Sequence, residues 1–150
     1  MYTSHHGYDR VREHSSAPAT QAIDQATEAR IERLKRSGSA IEAGRRLAEL
    51  DREWDIDRAL MMIFSGVGGL TFSLGLSRVR PFKKGNGWLY LFGAQLAFLG
   101  LHAAYGWCPP IAVLRRLGFR TQKEIQAERE IVEAIARSRE MEAVERLDDV

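Results

Sequence analysis

The sequence predicts an all-α membrane protein, in which amphipathic cytoplasmic helices precede and follow a two-helix transmembrane hairpin. Two stretches, 59–77 and 85–114, contain no Asp, Glu, Lys or Arg. A helix that spans a bilayer needs roughly 20 mostly apolar residues. Both stretches reach that length, and we place the spans at 59–77 and 87–107, which gives a hairpin over 59–107.

The charged residues lie almost entirely at the two ends of the chain. Of the 22 basic and 20 acidic residues, only four basic ones fall between positions 59 and 114. Each end is close to neutral and has no basic stripe, so we predict no nucleic-acid partner. The first apolar run begins at residue 59, too late for a cleavable signal peptide, and we expect it to stay in the membrane.

The arm before the first span divides into a tail and helices. Residues 1–20 are polar and predict a disordered tail. Residues 21–58 are rich in helix formers and predict cytoplasmic or juxtamembrane helices. Ser39 followed by Glu42 is a capping-box pattern, so a second helix should begin there. Its apolar stripe should continue to Trp54 at the membrane interface.

Small residues form ridges along both predicted spans, and such ridges let helices approach closely in a bilayer. The bland alternative is that glycine is common in membrane helices generally. The first span also has a second small face, formed by Gly68, Thr71 and Gly75. The predicted packing residues are Ser65, Gly69 and Ser73 in the first span and Gly93, Ala97, Gly100 and Ala104 in the second.

Two polar residues share the opposite face of the second span. Gln95 and His102 are seven positions apart and therefore lie on one side of the helix. Polar groups exposed to hydrocarbon are costly, so we expect a homodimer to cover them. The alternative for His102 is a neutral imidazole that donates a hydrogen bond across a helix pair.

The chain should leave the membrane after the second span. Prolines 109 and 110 cannot continue a helix with normal hydrogen bonds, so we expect 108–121 to be an interfacial segment. Its arginines should bind lipid phosphates. These predicted headgroup ligands are Arg115, Arg116 and Arg120.

The last segment, 122–150, predicts a C-terminal amphipathic helix. Thr121 and Glu124 form a second capping-box pattern at its start. Its dense mixed charges favour a solvated helix that binds a cytoplasmic protein partner.

Basic residues near the span ends set the expected orientation. The connecting loop has four, Arg78, Arg80, Lys83 and Lys84, whereas the two flanks together have nine. Because loop Lys and Arg resist translocation, both termini should be cytoplasmic.

Little in the sequence points to chemistry. Cys108 follows a helix end, where the dipole disfavours a thiolate, and a small interfacial residue is the simpler interpretation. The histidines and the cysteine lack metal-ligand spacing, so we predict no metal, no cofactor and no enzymatic activity. The candidate functional residues are Gln95, His102, Trp107, Cys108, Pro109 and Pro110.

The motif Gly106-Trp107-Cys108-Pro109-Pro110, with the Leu-Arg-Arg-Leu-Gly-Phe-Arg-Thr run at 114–121, resembles the YgaP-like transmembrane family. The resemblance covers about residues 43–129 and implies two spans, the bacterial inner membrane and self-association. Some members are fused to a rhodanese domain. Because the only cysteine of this chain belongs to the membrane motif, we do not expect sulfurtransferase activity.

Together these features predict a small integral inner-membrane protein with a structural, anchoring or accessory role, which self-associates and contacts membrane lipids. The alternative is a thiol-linked sensor, or a conduit for small anions or sulfur species, that uses His102 and Cys108 at a dimer interface.

Overall fold

The fold is all-helical, as predicted. The computed structural model describes residues 8–77 and 86–148, and within these residues an isolated bridge between Asp55 and Arg120 is the only β-type pairing. The helices of the described residues are α1 Arg10–Glu13, α2 Ala17–Ser37, α3 Ala40–Leu50, α4 Ile56–Ser77, α5 Gly87–Tyr105, α6 Pro109–Arg116 and α7 Gln122–Asp148.

Helices α2, α3, α6 and α7 form what we call the helical body. The predicted break between α2 and α3 is present, because α2 ends at Ser37 with Gly38 as its C-cap, and the Ser39 hydroxyl accepts a hydrogen bond from the Glu42 amide. Helices α3 and α7 pack along each other. Leu34 of α2 joins them in a hydrophobic cluster with Ala43, Leu50, Ile125 and Val132.

The prediction of a disordered tail is wrong for residues 8–20, while residues 1–7 lie outside the described part. The Asp9 side chain accepts a hydrogen bond from the Arg12 amide and thereby caps α1. Pro18 lies in the first turn of α2, where its missing amide hydrogen costs nothing. Long-range ion pairs bind this polar segment to the helical body. Local composition carries no information about such pairs, so it predicted disorder.

Helix α3 ends at Leu50, so the predicted extension of its stripe to Trp54 is wrong. Residues 51–55 form a turn, and the Asp55 carboxylate accepts a hydrogen bond from the Arg58 amide at the start of α4. Trp54 is exposed, and the Arg58 guanidinium lies 5.2 Å from its ring centroid. The turn joins α4 to the body, since the Ile56 amide donates to the Arg120 carbonyl at 2.9 Å.

Helices α4 and α5 match the two predicted spans to within a few residues, and both are long and apolar enough to cross a membrane. They pack with opposite chain directions, because Gly75 of α4 contacts Leu89 near the start of α5, while Asp57 contacts His102 near its end. The predicted basic loop, with Arg78, Arg80, Lys83 and Lys84, lies outside the described residues.

The C-cap of helix α5 is Gly106, and the structure requires a glycine at this position. Gly106 has a φ of 73°, and a Cβ at this position would lie 2.6 Å from the Cβ of Arg10. The Arg10 guanidinium also donates to the carbonyls of Ala103 and Ala104 at the end of α5. The N-terminal segment is therefore seated directly on the end of this helix.

The segment after α5, predicted to be interfacial over 108–121, contains the short helix α6, which the sequence did not predict. Pro109 and Pro110 do not only stop α5, because they also form the first turn of α6. Helix α6 ends in a Schellman motif, in which Gly118 has a φ of 89° and the Phe119 amide donates to the Leu114 carbonyl.

Candidate functional site

The turn between α6 and α7 places two arginines against two glutamates of α7. Arg115 binds Glu124 through two hydrogen bonds, Nη1 to Oε2 at 2.6 Å and Nη2 to Oε1 at 2.9 Å. Both side chains are buried. The same glutamate completes the predicted capping box, because its Oε2 accepts from the Thr121 amide while the Thr121 hydroxyl accepts from the Glu124 amide.

Glu128 is the centre of the second pair. Its side chain is 0% exposed, and its Oε2 accepts a hydrogen bond from Arg120. It also accepts from Arg46 of α3 at 2.9 Å and from Arg30 of α2 at 3.4 Å. Arg120 in turn binds Glu53 at 2.7 Å and 2.6 Å. One buried carboxylate thus connects two helices and the α6–α7 turn to α7.

The N-terminal segment joins this network from the other side. Arg12 donates to Asp24 at 2.6 Å and to Glu124 at 2.7 Å. The Thr121 hydroxyl donates to the Asp9 carboxylate at 2.6 Å. We call the whole set the ion-pair network; its members are Arg12, Asp24, Arg30, Arg46, Glu49, Glu53, Arg115, Arg120, Glu124 and Glu128.

The network favours the ionised forms of Glu124 and Glu128. Burial raises the pKa of Glu124, but hydrogen bonds and positive charge from Arg115 outweigh it, so the pKa is below its ordinary value. For Glu128 the same opposition holds, with Arg46 and Arg120 lowering the pKa more than burial raises it. A buried charge is tolerated only when it is paired and hydrogen-bonded, and each of these groups is both.

Two of the three arginines predicted to bind lipid headgroups have another role. Arg115 and Arg120 are 2% and 3% exposed, and their guanidinium groups bind glutamates, so the lipid assignment is wrong for both in this structure. Only Arg116 is exposed. The spacing of Arg115 from Glu124 and of Arg120 from Glu128 is visible in the sequence. It becomes informative only once the turn between the helices is known.

A cleft of about 330 Å³ lies beside the network, between α2, α3 and the α6–α7 turn. One wall is apolar and is formed by alanines of α2 and by Ile23. The charged lining residues are Arg30, Arg46, Glu53, Arg115, Arg116 and Arg120.

The polar residues of α5 face α4 in the same chain, which corrects the predicted packing. The Thr71 hydroxyl lies 3.0 Å from Gln95 Oε1, and His102 Nε2 lies 2.9 Å from Asp57 Oδ1. The α4 face that meets α5 is the second small face, with Gly68, Thr71 and Gly75 buried. The ridges predicted to pack are instead exposed: Ser65, Gly69 and Ser73 on α4, and Gly93, Ala97, Gly100 and Ala104 on α5.

Cys108 is part of a hydrophobic cluster between the body and α4. It is 0% exposed and packs with Ile56, Leu60 and Ile111. Burial raises the pKa of its thiol, so a reactive thiolate is disfavoured. No hydrogen bond among the described residues joins it to His102. Trp107, beside it, is exposed, and the structure therefore does not assemble the predicted candidates into one site.

Within residues 8–77 and 86–148, no group of three or more His, Cys, Asp or Glu side chains is positioned to hold a metal ion. Comparisons with protein families, with curated proteins and with solved structures find no match for this chain. The residues and their geometry are therefore the basis for any functional conclusion.

Proposed function

We propose that this chain is an integral membrane protein with a structural or anchoring role, in which α4 and α5 form a transmembrane hairpin that holds the helical body at the membrane. The observation that supports this is the polarity of the helix pair. Its large apolar side chains point outward, whereas Thr71, Gln95 and His102 lie between the two helices. The exposed set comprises Met61, Met62, Ile63, Val67, Leu70, Phe72 and Leu76 on α4, and Tyr90, Leu91, Leu96, Phe98, Leu101 and Tyr105 on α5.

That arrangement is the reverse of a water-soluble helix pair. In water, apolar side chains gain by burial, at about 25 cal/mol for each Å² removed from solvent, so an exposed apolar sheath of this size is unfavourable. In lipid, hydrogen-bonding groups must find partners within the protein. Gln95 does so with Thr71, and His102 does so with Asp57 through Nε2, while its buried Nδ1 has no partner among the described residues.

The position of the helical body supports a single-sided arrangement. The body contacts the Ile56 end of α4 through Arg120, and the N-terminal segment contacts the Gly106 end of α5 through Arg10. The helical body and the N-terminal segment thus contact the same end of the helix pair. With the excess of flanking basic residues, this favours a cytoplasmic body, and the resemblance to the YgaP-like family favours the bacterial inner membrane.

A structural role is favoured over the sensor or conduit because the ionisable groups of the body are used to hold helices together. Cys108 is sealed in a hydrophobic cluster, and His102 is bound to Asp57. Self-association also stays part of the proposal. It now concerns the exposed small ridges, of which Gly69 and Gly93 are members, rather than the Gln95 face.

Membrane extraction of matched variants tests this proposal. Leu70 on α4 and Met141 on α7 are both exposed apolar residues. We expect Leu70→Arg to reduce the carbonate-resistant membrane fraction, since an arginine at a span centre costs about 2.5–3.5 kcal/mol. Met141→Arg should leave that fraction unchanged. Release of the wild-type chain by carbonate, or equal effects of both substitutions, would overturn the proposal.

A further inference from the structure

The side chains around the cleft beside the ion-pair network have more positive than negative charge. Five arginines and one glutamate line it. Two further glutamates, Glu124 and Glu128, lie buried against these arginines. A fourth carboxylate, Glu49, pairs with Arg46 at 2.9 Å. The five arginines therefore face four carboxylates, an excess of one positive charge at a cleft of about 330 Å³. That volume lies within the range of about 300–1,000 Å³ that is typical of small-molecule sites.

The excess charge can be assigned to particular side chains. Arg46, Arg115 and Arg120 each form close hydrogen bonds with network glutamates. Arg116 is exposed and makes no ion pair or hydrogen bond with any described residue. Arg30 reaches Glu128 only at 3.4 Å and donates to the Thr27 hydroxyl at 3.0 Å, with 33% of its side chain exposed. The unpaired Arg116 guanidinium and the partly exposed Arg30 guanidinium line the same cleft.

One donor of the lining is also unused. Arg115 Nε is buried and has no hydrogen-bond partner among the described residues. A buried donor without an acceptor costs about 1–3 kcal/mol. Because this atom is closed to solvent, an acceptor from the cleft reaches it only after a small shift of the lining side chains. Arg30 and Arg116 are directly available.

From this arrangement we propose that the cleft binds a phosphate group through Arg30 and Arg116. Guanidinium groups match phosphate oxygens with paired hydrogen bonds, and the excess of one positive charge suits a singly charged phosphate group. The phosphate has two possible sources: an anionic lipid headgroup or a free phosphate compound. The headgroup source rests on the proposed membrane location, because the cleft adjoins the start of α4 through Glu53 and Arg120. The free source does not depend on it.

A substitution series on the full chain tests the proposal. Arg116→Gln removes an exposed charge with no partner to disturb, and Arg30→Gln removes the second ligand. Arg33→Gln is the matched control, because Arg33 is also an exposed arginine of α2 but does not line the cleft. Circular dichroism verifies that each variant keeps its helix content.

Two titrations distinguish the sources. In detergent, the protein is titrated with inorganic phosphate and pyrophosphate. In vesicles, phosphorus NMR compares phosphatidylglycerol with phosphatidylcholine. Saturable binding that weakens tenfold or more in Arg116→Gln, equivalent to about 1.4 kcal/mol or more, but not in Arg33→Gln, supports a free phosphate ligand. A phosphatidylglycerol signal with the same variant pattern, without phosphate binding, supports a headgroup.

Absence of both signals, or equal loss in Arg33→Gln, overturns the cleft proposal. The carbonate extraction of the wild-type chain is unaffected by that outcome, so failure of the phosphate site is distinguishable from failure of the membrane assignment.

Discussion

Replacement of Glu128 by glutamine should destabilise the helical body more than any other single loss of charge in α7. Glu128 is 0% exposed and accepts hydrogen bonds from Arg30, Arg46 and Arg120. Glutamine keeps the shape but removes the negative charge, so Arg46 and Arg120 lose a shared partner in a buried site. Breaking a buried ion pair in this way costs about 3–5 kcal/mol.

Glu133→Gln is the control for this substitution. Glu133 lies on the same helix and pairs with Arg129, but its side chain is 41% exposed. An exposed pair contributes at most about 1 kcal/mol. The two substitutions are chemically identical, so the difference in their loss of stability reports the effect of burying the ion pair.

Thermal unfolding of the full chain, followed by circular dichroism in one detergent, measures the difference. For a chain of this size, 1 kcal/mol corresponds to about 2–4 °C in Tm, so Glu128→Gln should lower Tm by about 6–20 °C. Glu133→Gln should lower it by no more than about 4 °C. Equal shifts in the two variants would refute the view that the network holds the body together.

Two further predictions concern protons and helix faces. Because the pKa values of Glu124 and Glu128 are lowered in the folded state, their contribution to stability is complete above the ordinary carboxyl value of 4.5 and is lost as the pH falls through the folded values. Tm should therefore fall with pH below about 4.5, and it should fall less steeply in Glu128→Gln. An unchanged slope in that variant would contradict the assignment. In a Cys108→Ser background, a cysteine at Gly69 should form intermolecular disulfides in membranes while one at Gln95 should not, because Gln95 faces α4 of its own chain. Crosslinking at Gln95 alone would contradict this and would favour the dimer interface that the sequence predicts.

Local signals in the sequence predict where the helices lie, but not which residues the helices contact. The capping patterns at Ser39 and Thr121 and the two charge-free stretches predicted helix positions well, because caps and hydropathy act within a few residues. The pair Pro109 and Pro110 predicts the end of α5, but not the start of α6, although proline is also common in the first turn of a helix.

The ion-pair network was not predictable in the same way. Arg12 and Glu124 are 112 positions apart, and Arg46 and Glu128 are 82 apart. Neither pair leaves a local pattern, so the arginines were interpreted by their position next to a span. Helical periodicity likewise identified two faces on α5, but it carries no information on which face meets α4. The structure turns Gln95 and His102 toward that helix, where they form hydrogen bonds with Thr71 and Asp57.

Site-directed labelling gives the most direct test of the central claim, that α4 and α5 cross the membrane and hold the body on its cytoplasmic side. Single cysteines replace Asn86, at the start of α5, and Ser138, an exposed residue of α7, in a Cys108→Ser background. In intact bacterial spheroplasts, a membrane-impermeant maleimide should label position 86 and should label position 138 only after permeabilisation. Equal labelling of both positions before permeabilisation, or labelling of position 138 alone, would contradict the account.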